Sequence, residues 1–229
     1  MLKRICAFLL VLFLPITAFA APISVSAQSA IVINSADNSV IYSKNAYSSM
    51  PMASTTKIMT CVLACESTRL NDAVVITNEM LAGTEGSLIY LKPDDKITLY
   101  DLAVAAMLAS GNDAANAVAF CLSGSIADFV ALMNKKARSI GMKNTFFVTP
   151  SGLDEKNHHS TAYDMALLAS YAMKNSCFSE ICTLKSAQIT INGKKQTVYN
   201  HNKLLSNDNS FVGVKTGFTE KAGRCLVSA

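Results

Sequence analysis

Hydrophobic and polar positions alternate near both ends of the chain and follow a helical period in its middle. Alternation predicts β-strands, two of which flank Asn192-Gly193, a dipeptide typical of tight hairpin turns. The predicted strands are residues 30–34, 39–42, 97–99, 188–191, 196–199, 211–214 and 224–228. Apolar residues three and four positions apart predict amphipathic helices between them. The predicted helices are residues 54–65, 100–109, 113–122, 125–140 with Gly141 closing it, and one that Ser160 caps and that runs to residue 174.

This order of elements predicts an α/β domain of the α+β type. We expect the N-terminal and C-terminal strands to share one antiparallel sheet, with the helices as a layer on it. A length of 229 residues, 51% of them apolar, is enough for a sizeable core and favours one domain. The net charge of +4 is small and dispersed along the chain, which argues against a nucleic-acid partner.

Residues 1–20 have the pattern of a secretory signal peptide. Lys3 and Arg4 give a positively charged start, residues 5–14 are almost all apolar, and Ala18-Phe-Ala20 offers small residues for cleavage. The apolar run is shorter than the roughly 20 residues that a membrane-spanning helix needs. We therefore expect residues 21–229 to form the functional domain and to act outside the cytoplasmic membrane.

The cysteines that follow residue 20 are scattered and mostly lie in apolar helical patterns: Cys61, Cys65, Cys121, Cys177, Cys182 and Cys225. They form no C-x-x-C pair, and no nearby histidine completes a metal site. We expect buried free thiols rather than a disulfide framework, and neither a metal nor another cofactor.

Three short motifs with chemical potential follow one another along the chain. Ser54-Thr-Thr-Lys57 is its S-x-x-K sequence, Ser110-Gly-Asn112 is one of two S-x-N sequences, and Lys215-Thr-Gly217 is its K-T-G sequence. The other S-x-N, Ser43-Lys-Asn45, lies in the first predicted hairpin. Typical residue usage gives about one chance match each to S-x-x-K and S-x-N in a chain of this length, whereas K-T-G is rarer.

Ser54 and Lys57 lie one helical turn apart on the same face of a predicted helix. A serine hydroxyl is a weak nucleophile unless a base lies within hydrogen-bond distance. A lysine of ordinary pKa is neutral in only about one molecule in two thousand at pH 7. Burial and a second cation, for which Lys215 is the candidate, would lower that pKa. The start of a helix also offers free backbone N–H groups to a developing oxyanion.

Each motif also has a purely structural interpretation. Ser54 fits a helix cap, residues 110–112 fit a turn between helices, and residues 215–217 fit a strand that ends in a turn. His158 and His159 stand in a polar segment and are expected to face solvent. His201 has no partner in the sequence that indicates metal or triad chemistry.

The order S-x-x-K, S-x-N, K-T-G resembles that of the penicillin-recognising serine enzymes. The flanking sequence is similar to that of the serine-type D-alanyl-D-alanine carboxypeptidases, the low-molecular-mass penicillin-binding proteins. The stretches that carry the resemblance are Leu108–Asn116, Gly141–Phe146, Pro150–Leu153, Ser160–Asp164 and Gly213–Thr219. It extends from about residue 25 to the end of the chain, and it implies a β-lactamase/transpeptidase-like fold.

The resemblance implies a role for each catalytic position. Ser54 would be the acylated nucleophile and Lys57 its general base, and Ser110 would relay a proton to the leaving D-alanine. The backbone N–H groups of Ser54 and Phe218 would form the oxyanion hole. The reaction would remove the terminal D-alanine from a peptidoglycan stem peptide through an acyl-enzyme that water then hydrolyses, and penicillin would inhibit it.

The resemblance also implies substrate-binding residues and partners. Asn112 would bind the substrate amide, Lys215 and Thr216 would hold the terminal carboxylate, and Gly217 and Phe218 would line the approach. The partners would be a pentapeptide that ends in D-Ala-D-Ala and β-lactams as covalent inhibitors. Members of this family continue past the K-T-G strand, so we expect residues 21–229 to be a C-terminally truncated catalytic domain. Any membrane association would then depend on a C-terminal segment missing here.

Two other functions share the same motifs. A class A β-lactamase would need a glutamate in a Glu-Pro-x-x-Asn loop to activate the deacylating water. The corresponding region, residues 152–160, contains Glu155 but not the rest of that pattern. The other alternative is an inactive chain, either a sensor of muropeptides or β-lactams or a truncated penicillin-binding remnant.

Overall fold

The computed structural model describes residues 23–208 and 210–229, so the predicted signal peptide at residues 1–20 lies outside the described residues. The strands are β1 (Ala30–Ile33), β2 (Val40–Lys44), β3 (Ala73–Val75), β4 (Lys96–Thr98), β5 (Ser186–Ile191), β6 (Lys194–Tyr199), β7 (Val214–Thr219) and β8 (Gly223–Ser228). The helices are α1 (Lys57–Cys65), α2 (Asn78–Leu81), α3 (Leu99–Leu108), α4 (Asn112–Ser123), α5 (Ile126–Ile140), α6 (Ala162–Ala172), α7 (Ser176–Thr183) and α8 (Leu204–Asn207). A single 3-10 turn, Ala53–Thr56, leads directly into α1.

Side-chain caps fix where several helices begin. The hydroxyl of Ser125 accepts a hydrogen bond from the Asp128 N–H, and α5 ends at Gly141, both as the sequence predicts. The predicted cap at Ser160 is wrong by one residue. Thr161 caps α6 by accepting from the Asp164 N–H at 3.1 Å, whereas the Ser160 hydroxyl lies 2.8 Å from that of Thr145.

The strands pair as four separate two-stranded antiparallel sheets: β1 with β2, β3 with β4, β5 with β6, and β7 with β8. Within residues 23–208 and 210–229 the terminal hairpins therefore do not share one hydrogen-bonded sheet, and that part of the prediction is wrong. Both hairpins instead pack against helix α6, which places them on a common helical layer. The strand predicted at residues 211–214 is misplaced, because the observed strand β7 spans Val214–Thr219. The combination of helices with antiparallel strands agrees with the predicted fold class.

Helices α1, α3 and α4 form the centre of the core. In α1 every residue from Lys57 to Ala64 is buried, and α3 is buried at every position except Tyr100 and Asp101. Alanines on α3 and α4 are fully buried, and such small side chains let the helix axes approach closely. The first turn of α1, which begins at Lys57, is therefore embedded in the core.

Among the described residues no single helix is long and apolar enough to cross a membrane. Helices α4 and α5 meet the length and composition requirement only as a pair bent by 85°.

Candidate active site

Ser54 lies in the 3-10 turn that starts the central helix. Its predecessor Ala53 is buried and has φ = +48°, a left-handed conformation that costs a residue with a Cβ on the order of 1–3 kcal/mol. Ser54 itself is half-buried, and its N–H belongs to the first turn, where backbone donors lack an intrahelical acceptor. The turn thus presents a hydroxyl and a free backbone N–H at the same point.

Lys57 is fully buried, and its ammonium group is held by three acceptors. Its Nζ donates to Ser54 Oγ at 2.9 Å, to Asn112 Oδ1 at 2.6 Å and to the Ser151 carbonyl at 2.7 Å. Burial, and then the positive charge of Lys215, hold the pKa of Lys57 well below its ordinary value. The structure therefore brings a lysine with a strongly lowered pKa into hydrogen-bond contact with the Ser54 hydroxyl.

The S-x-N motif borders the same lysine. Asn112 begins α4, and besides accepting from Lys57 it donates through Nδ2 to the Glu85 carbonyl at 2.5 Å. Both ends of its amide are therefore engaged within the protein. Ser110 is buried with φ = +60°, and its hydroxyl has no hydrogen-bond partner among the described residues. Ala53 and Ser110, which lie one and two residues before side chains that contact Lys57, are thus both buried non-glycine residues with positive φ.

Asp113 is a buried acid that the sequence analysis did not single out. Its carboxylate accepts from the backbone N–H groups of Ile89, Leu91 and Ala114 at 2.9–3.2 Å. It acts on Lys57 in the direction opposite to burial, since its negative charge raises that pKa. It also fixes the segment around residue 90 against the start of α4.

The K-T-G motif forms strand β7, which runs beside the serine turn. The Lys215 side chain is 2% exposed, its Nζ donates to the Thr216 carbonyl at 3.0 Å, and burial lowers its pKa from 10.5 to about 8. A Cβ added to Gly217 would lie 2.9 Å from the backbone N of Ser54, which is closer than real Cβ contacts come. The absence of a side chain at Gly217 therefore lets β7 approach the turn. Phe218 follows with a side chain that is 64% exposed.

The segment at residues 150–152 supports the site from the other side. Thr60 of α1 donates to the Pro150 carbonyl at 2.6 Å, and the next carbonyl, that of Ser151, is an acceptor of Lys57. Gly152 has φ = +87°, and a Cβ there would lie only 2.0 Å from the Ala53 carbonyl oxygen. A backbone acceptor leaves no signal in the sequence, although residues 150–153 carry part of the family resemblance.

His158 is buried, so the expectation that it faces solvent is wrong. Its Nδ1 accepts from the Val148 N–H at 2.9 Å and from the Thr149 N–H at 3.4 Å. Its Nε2 therefore carries the proton and donates to Thr56 Oγ1 at 2.8 Å. Burial, and then the charge of His159, lower the pKa of His158 to about 4, so it is neutral near pH 7. It secures the residue before Lys57.

His201 is the second histidine near the site. Burial lowers its pKa, and the charges of Lys215 and Lys57 lower it further. Its backbone N–H donates to the Leu108 carbonyl at 3.2 Å, which links it to the end of α3 just before the S-x-N motif.

The other S-x-N sequence is not part of this arrangement, because the Asn45 amide donates to the Gln28 carbonyl at 2.9 Å.

Taken together, the structure brings members of all three motifs to one point. Ser54, Lys57 and Asn112 are joined by hydrogen bonds, and Gly217 borders Ser54. Lys215 lies near enough to act on the pKa of Lys57. A hydroxyl, a base with a lowered pKa and a backbone N–H for the oxyanion are groups that nucleophilic acyl transfer uses, and the second buried cation helps to lower the pKa of the base.

Comparison with known proteins agrees with this geometry. A profile of the D-alanyl-D-alanine carboxypeptidase family matches residues 16–229. The chain is 38% identical over 209 residues to D-alanyl-D-alanine carboxypeptidase DacF of Bacillus subtilis. That alignment covers 89% of this chain and 54% of DacF. It is 37% identical to DacC of Escherichia coli, over 96% of this chain and 58% of that protein. The chain thus spans about half the length of these curated relatives.

Solved structures give the same result for the fold. The Streptomyces K15 DD-transpeptidase superimposes with a TM-score of 0.86 at 30% identity, over 92% of this chain and 87% of that one. A penicillin-binding protein homologue from Mycobacterium tuberculosis superimposes with a TM-score of 0.85 at 32% identity, over 90% of this chain and 79% of that one. The predicted β-lactamase/transpeptidase-like fold is confirmed, and the chain belongs to the D-alanyl-D-alanine carboxypeptidase family.

Proposed function

We propose that this chain is a serine-type D-alanyl-D-alanine carboxypeptidase that removes the terminal D-alanine from peptidoglycan stem peptides. The observation that carries the proposal is the buried Lys57, whose lowered pKa and 2.9 Å contact with Ser54 Oγ suit it to act as a base. The family membership and the names of the relatives support the substrate class.

In the acylation step, neutral Lys57 takes the proton of the Ser54 hydroxyl as Oγ attacks the carbonyl between the two D-alanines. The tetrahedral oxyanion accepts hydrogen bonds from the backbone N–H groups of Ser54 and Phe218. The C–N bond then breaks, Ser110 relays a proton to the departing D-alanine amine, and the acyl group remains on Ser54. Water hydrolyses this ester in the second half-reaction.

Substrate binding falls to β7 and the start of α4. Lys215 and Thr216 hold the terminal carboxylate, Gly217 lets β7 lie close to Ser54 at the substrate site, and Phe218 lines the approach of the peptide. Asn112 binds the substrate amide, and since its Nδ2 already donates to the Glu85 carbonyl, the substrate must share or replace that contact. Buried cations suit this task because their attraction for a carboxylate is strong once water is excluded.

A β-lactamase is the alternative that the motifs leave open, and the sequence around Glu155 argues against it. A deacylating glutamate must be held against the acyl-enzyme, whereas Glu155 is exposed and residues 152–160 lack the rest of the Glu-Pro-x-x-Asn pattern. Without such a base, a penicillin acyl group would remain on Ser54. We therefore propose β-lactams as covalent inhibitors rather than substrates.

The proposed partners and location follow from the reaction. Peptidoglycan precursors ending in D-Ala-D-Ala lie outside the cytoplasmic membrane, and the predicted signal peptide at residues 1–20 would bring the chain there. Residues 21–229 would be the catalytic domain. Membrane association through a segment C-terminal to residue 229 is part of the same proposal.

Release of D-alanine from an N-acylated L-Lys-D-Ala-D-Ala peptide tests the activity. We expect release by the wild-type chain, its loss in Ser54→Ala, and its retention in Ser43→Ala, which alters an exposed serine of the other S-x-N sequence. Turnover of penicillin faster than D-alanine release would instead establish a β-lactamase. A folded chain that neither releases D-alanine nor retains penicillin would be an inactive remnant.

A further inference from the structure

Three cysteine sulfurs meet at the junction of helices α1 and α7. Cys65, the last residue of α1, has its Sγ 2.8 Å from Sγ of Cys177, the second residue of α7. The Sγ of Cys61, one turn earlier on α1, lies 3.9 Å from that of Cys65. All six cysteines among the described residues are free thiols, but only Cys61 and Cys182 are buried, whereas the sequence predicts burial of all six. The arrangement of these three, however, is not that of inert core residues.

We propose that Cys65 and Cys177 are a redox-active pair that closes to a disulfide when the protein meets a disulfide oxidant. Their sulfurs need to approach by only about 0.8 Å to reach the bond length of about 2.0 Å. The two residues come from different helices 112 positions apart, so the bond would close a long loop of chain.

Closure proceeds by two thiol–disulfide exchanges. One thiol loses its proton to solvent, and its thiolate attacks an oxidant R–S–S–R, forming a mixed disulfide and releasing one R–S⁻. The second protein thiolate attacks the protein sulfur of that mixed disulfide, forming the S–S bond and releasing the other R–S⁻. The two protons lost by the protein balance the two R–SH formed, and the oxidant takes up the two electrons.

The lower pKa of Cys177 makes it the first attacker of the pair. Burial, and then the contact with Cys65, raise the pKa of Cys177 to about 12, while the pKa of Cys65 is raised further by Cys61 and by burial. Cys177 and Cys65 are both half-buried, so an oxidant can reach the pair, whereas Cys61 is fully buried. Both thiols are mostly protonated at pH 7, so closure should accelerate as the pH rises.

Cys61 is not the favoured partner of Cys65. The two share one helix, and a bond between them would have to draw sulfurs 3.9 Å apart together without moving α1. The pair across the two helices is already 1.1 Å closer.

The disulfide would tie together the two sides of the candidate active site. Helix α1 begins with Lys57, while α7 backs the entry to β7, because a Cβ at Gly213 would lie 2.9 Å from Cys182 Sγ of α7. A bond between the far end of α1 and the start of α7 would therefore restrain both elements in the unfolded ensemble and in the folded state.

The test is a non-reducing tryptic digest of the full chain, before and after incubation with oxidised glutathione at mildly alkaline pH. Trypsin releases residues 58–69, which contain Cys61 and Cys65, and residues 175–185, which contain Cys177 and Cys182. We expect these two peptides to appear joined after oxidation and separate after reduction. Cys61→Ala and Cys182→Ala, each of which removes the neighbouring thiol, should keep the joined peptide, and Cys177→Ser should lose it.

Thermal unfolding supplies a second readout on the same samples. Closing a loop of this length should raise the melting temperature of the oxidised wild type by roughly 10 °C over its reduced form, with no such shift in Cys177→Ser. Persistence of the joined peptide in Cys177→Ser, or its absence from oxidised wild type of native circular dichroism, would overturn the pair. An unchanged melting temperature in protein that is fully cross-linked would overturn the restraint. D-alanine release is not needed for either readout, so a failed proposed function leaves this test intact.

Discussion

Replacing Lys215 by methionine should stabilise the protein while impairing its proposed chemistry. Methionine keeps the length and apolar stem of the side chain but removes its buried positive charge. Burial lowers the pKa of Lys215 from 10.5 to about 8, a difference that corresponds to about 3 kcal/mol of destabilisation when the group is charged in both states. The variant also loses the hydrogen bond to the Thr216 carbonyl, which costs about 1 kcal/mol. The expected net gain in the free energy of unfolding at pH 7 is therefore about 2 kcal/mol.

The gain must depend on pH in one direction. Below pH 8 both folded and unfolded Lys215 carry the proton, so the wild type bears the full cost of a buried charge. Between pH 8 and 10.5 the unfolded state binds the proton more strongly than the folded state, so wild-type stability rises with pH. The advantage of Lys215→Met should shrink across that window and reverse near its upper end, where only the lost hydrogen bond remains.

Urea unfolding followed by circular dichroism, at pH 7 and at pH 10 with a reductant present, measures both values. Lys215→Arg serves as the control, because it retains a charge at every pH used and should show no gain. A Lys215→Met variant that is less stable than wild type at pH 7, or whose difference from wild type is the same at both pH values, would refute the buried cation as a source of instability.

Three further outcomes are expected from the same geometry. In Lys215→Met, loss of the neighbouring charge should raise the pKa of Lys57, so the acidic limb of residual penicillin acylation should move to higher pH, and an unmoved limb would argue against their coupling. Gly217→Ala places a Cβ 2.9 Å from the Ser54 N and should displace the serine turn. Acylation by a fluorescent penicillin should then be about 100-fold slower than in the wild type. An unchanged rate would mean that β7 does not border the turn. His158 has a pKa of about 4 in the folded state, so the unfolded state binds its proton more strongly between pH 6.5 and 4. Between these pH values the free energy of unfolding of the wild type should therefore fall by about 3 kcal/mol more than that of His158→Gln, as measured by urea unfolding at each pH. An equal loss in both would exclude His158 as the titrating group.

Local sequence rules predicted the elements that rest on short-range signals. The turn at Asn192-Gly193 and the cap at Ser125 depend on residues next to them in the chain, so both were predictable. The cap of α6 was misplaced because Ser160 and Thr161 are equally good capping residues. Tertiary structure chooses between them, since Ser160 is drawn into a pair with Thr145 and an antiparallel bridge to Met50.

The sheet arrangement depends on long-range contacts and was not predictable in the same way. Alternation of polar and apolar residues identifies a strand but not its neighbour. Strand β1 pairs with β2, which follows it closely, and β8 with β7, so the pairings within hairpins were predictable. The packing of both hairpins against α6 as separate two-stranded sheets depends on such long-range contacts.

The candidate site divides along the same line. The types and order of Ser54, Lys57 and Lys215 indicated nucleophile, base and second cation, and the structure brings them near one another. The Ser151 carbonyl could not be predicted as an acceptor of Lys57, because every residue has a backbone carbonyl. The burial of His158 was not predicted, because its neighbours in the sequence are polar. The backbone N–H groups of Val148 and Thr149, which donate to its ring, cannot be identified from the sequence alone.

The most direct test of the account is the mass of the intact chain after incubation with penicillin, with peptide mapping of the adduct. A nucleophilic Ser54 activated by Lys57 predicts one covalent penicillin per chain, located on the peptide that contains Ser54 and absent from Ser54→Ala. The adduct should persist for longer than the incubation, because residues 152–160 lack the Glu-Pro-x-x-Asn pattern of a deacylating glutamate. An adduct that survives the Ser54→Ala substitution, or that maps to another residue, would contradict the assignment of the nucleophile and with it the proposed mechanism.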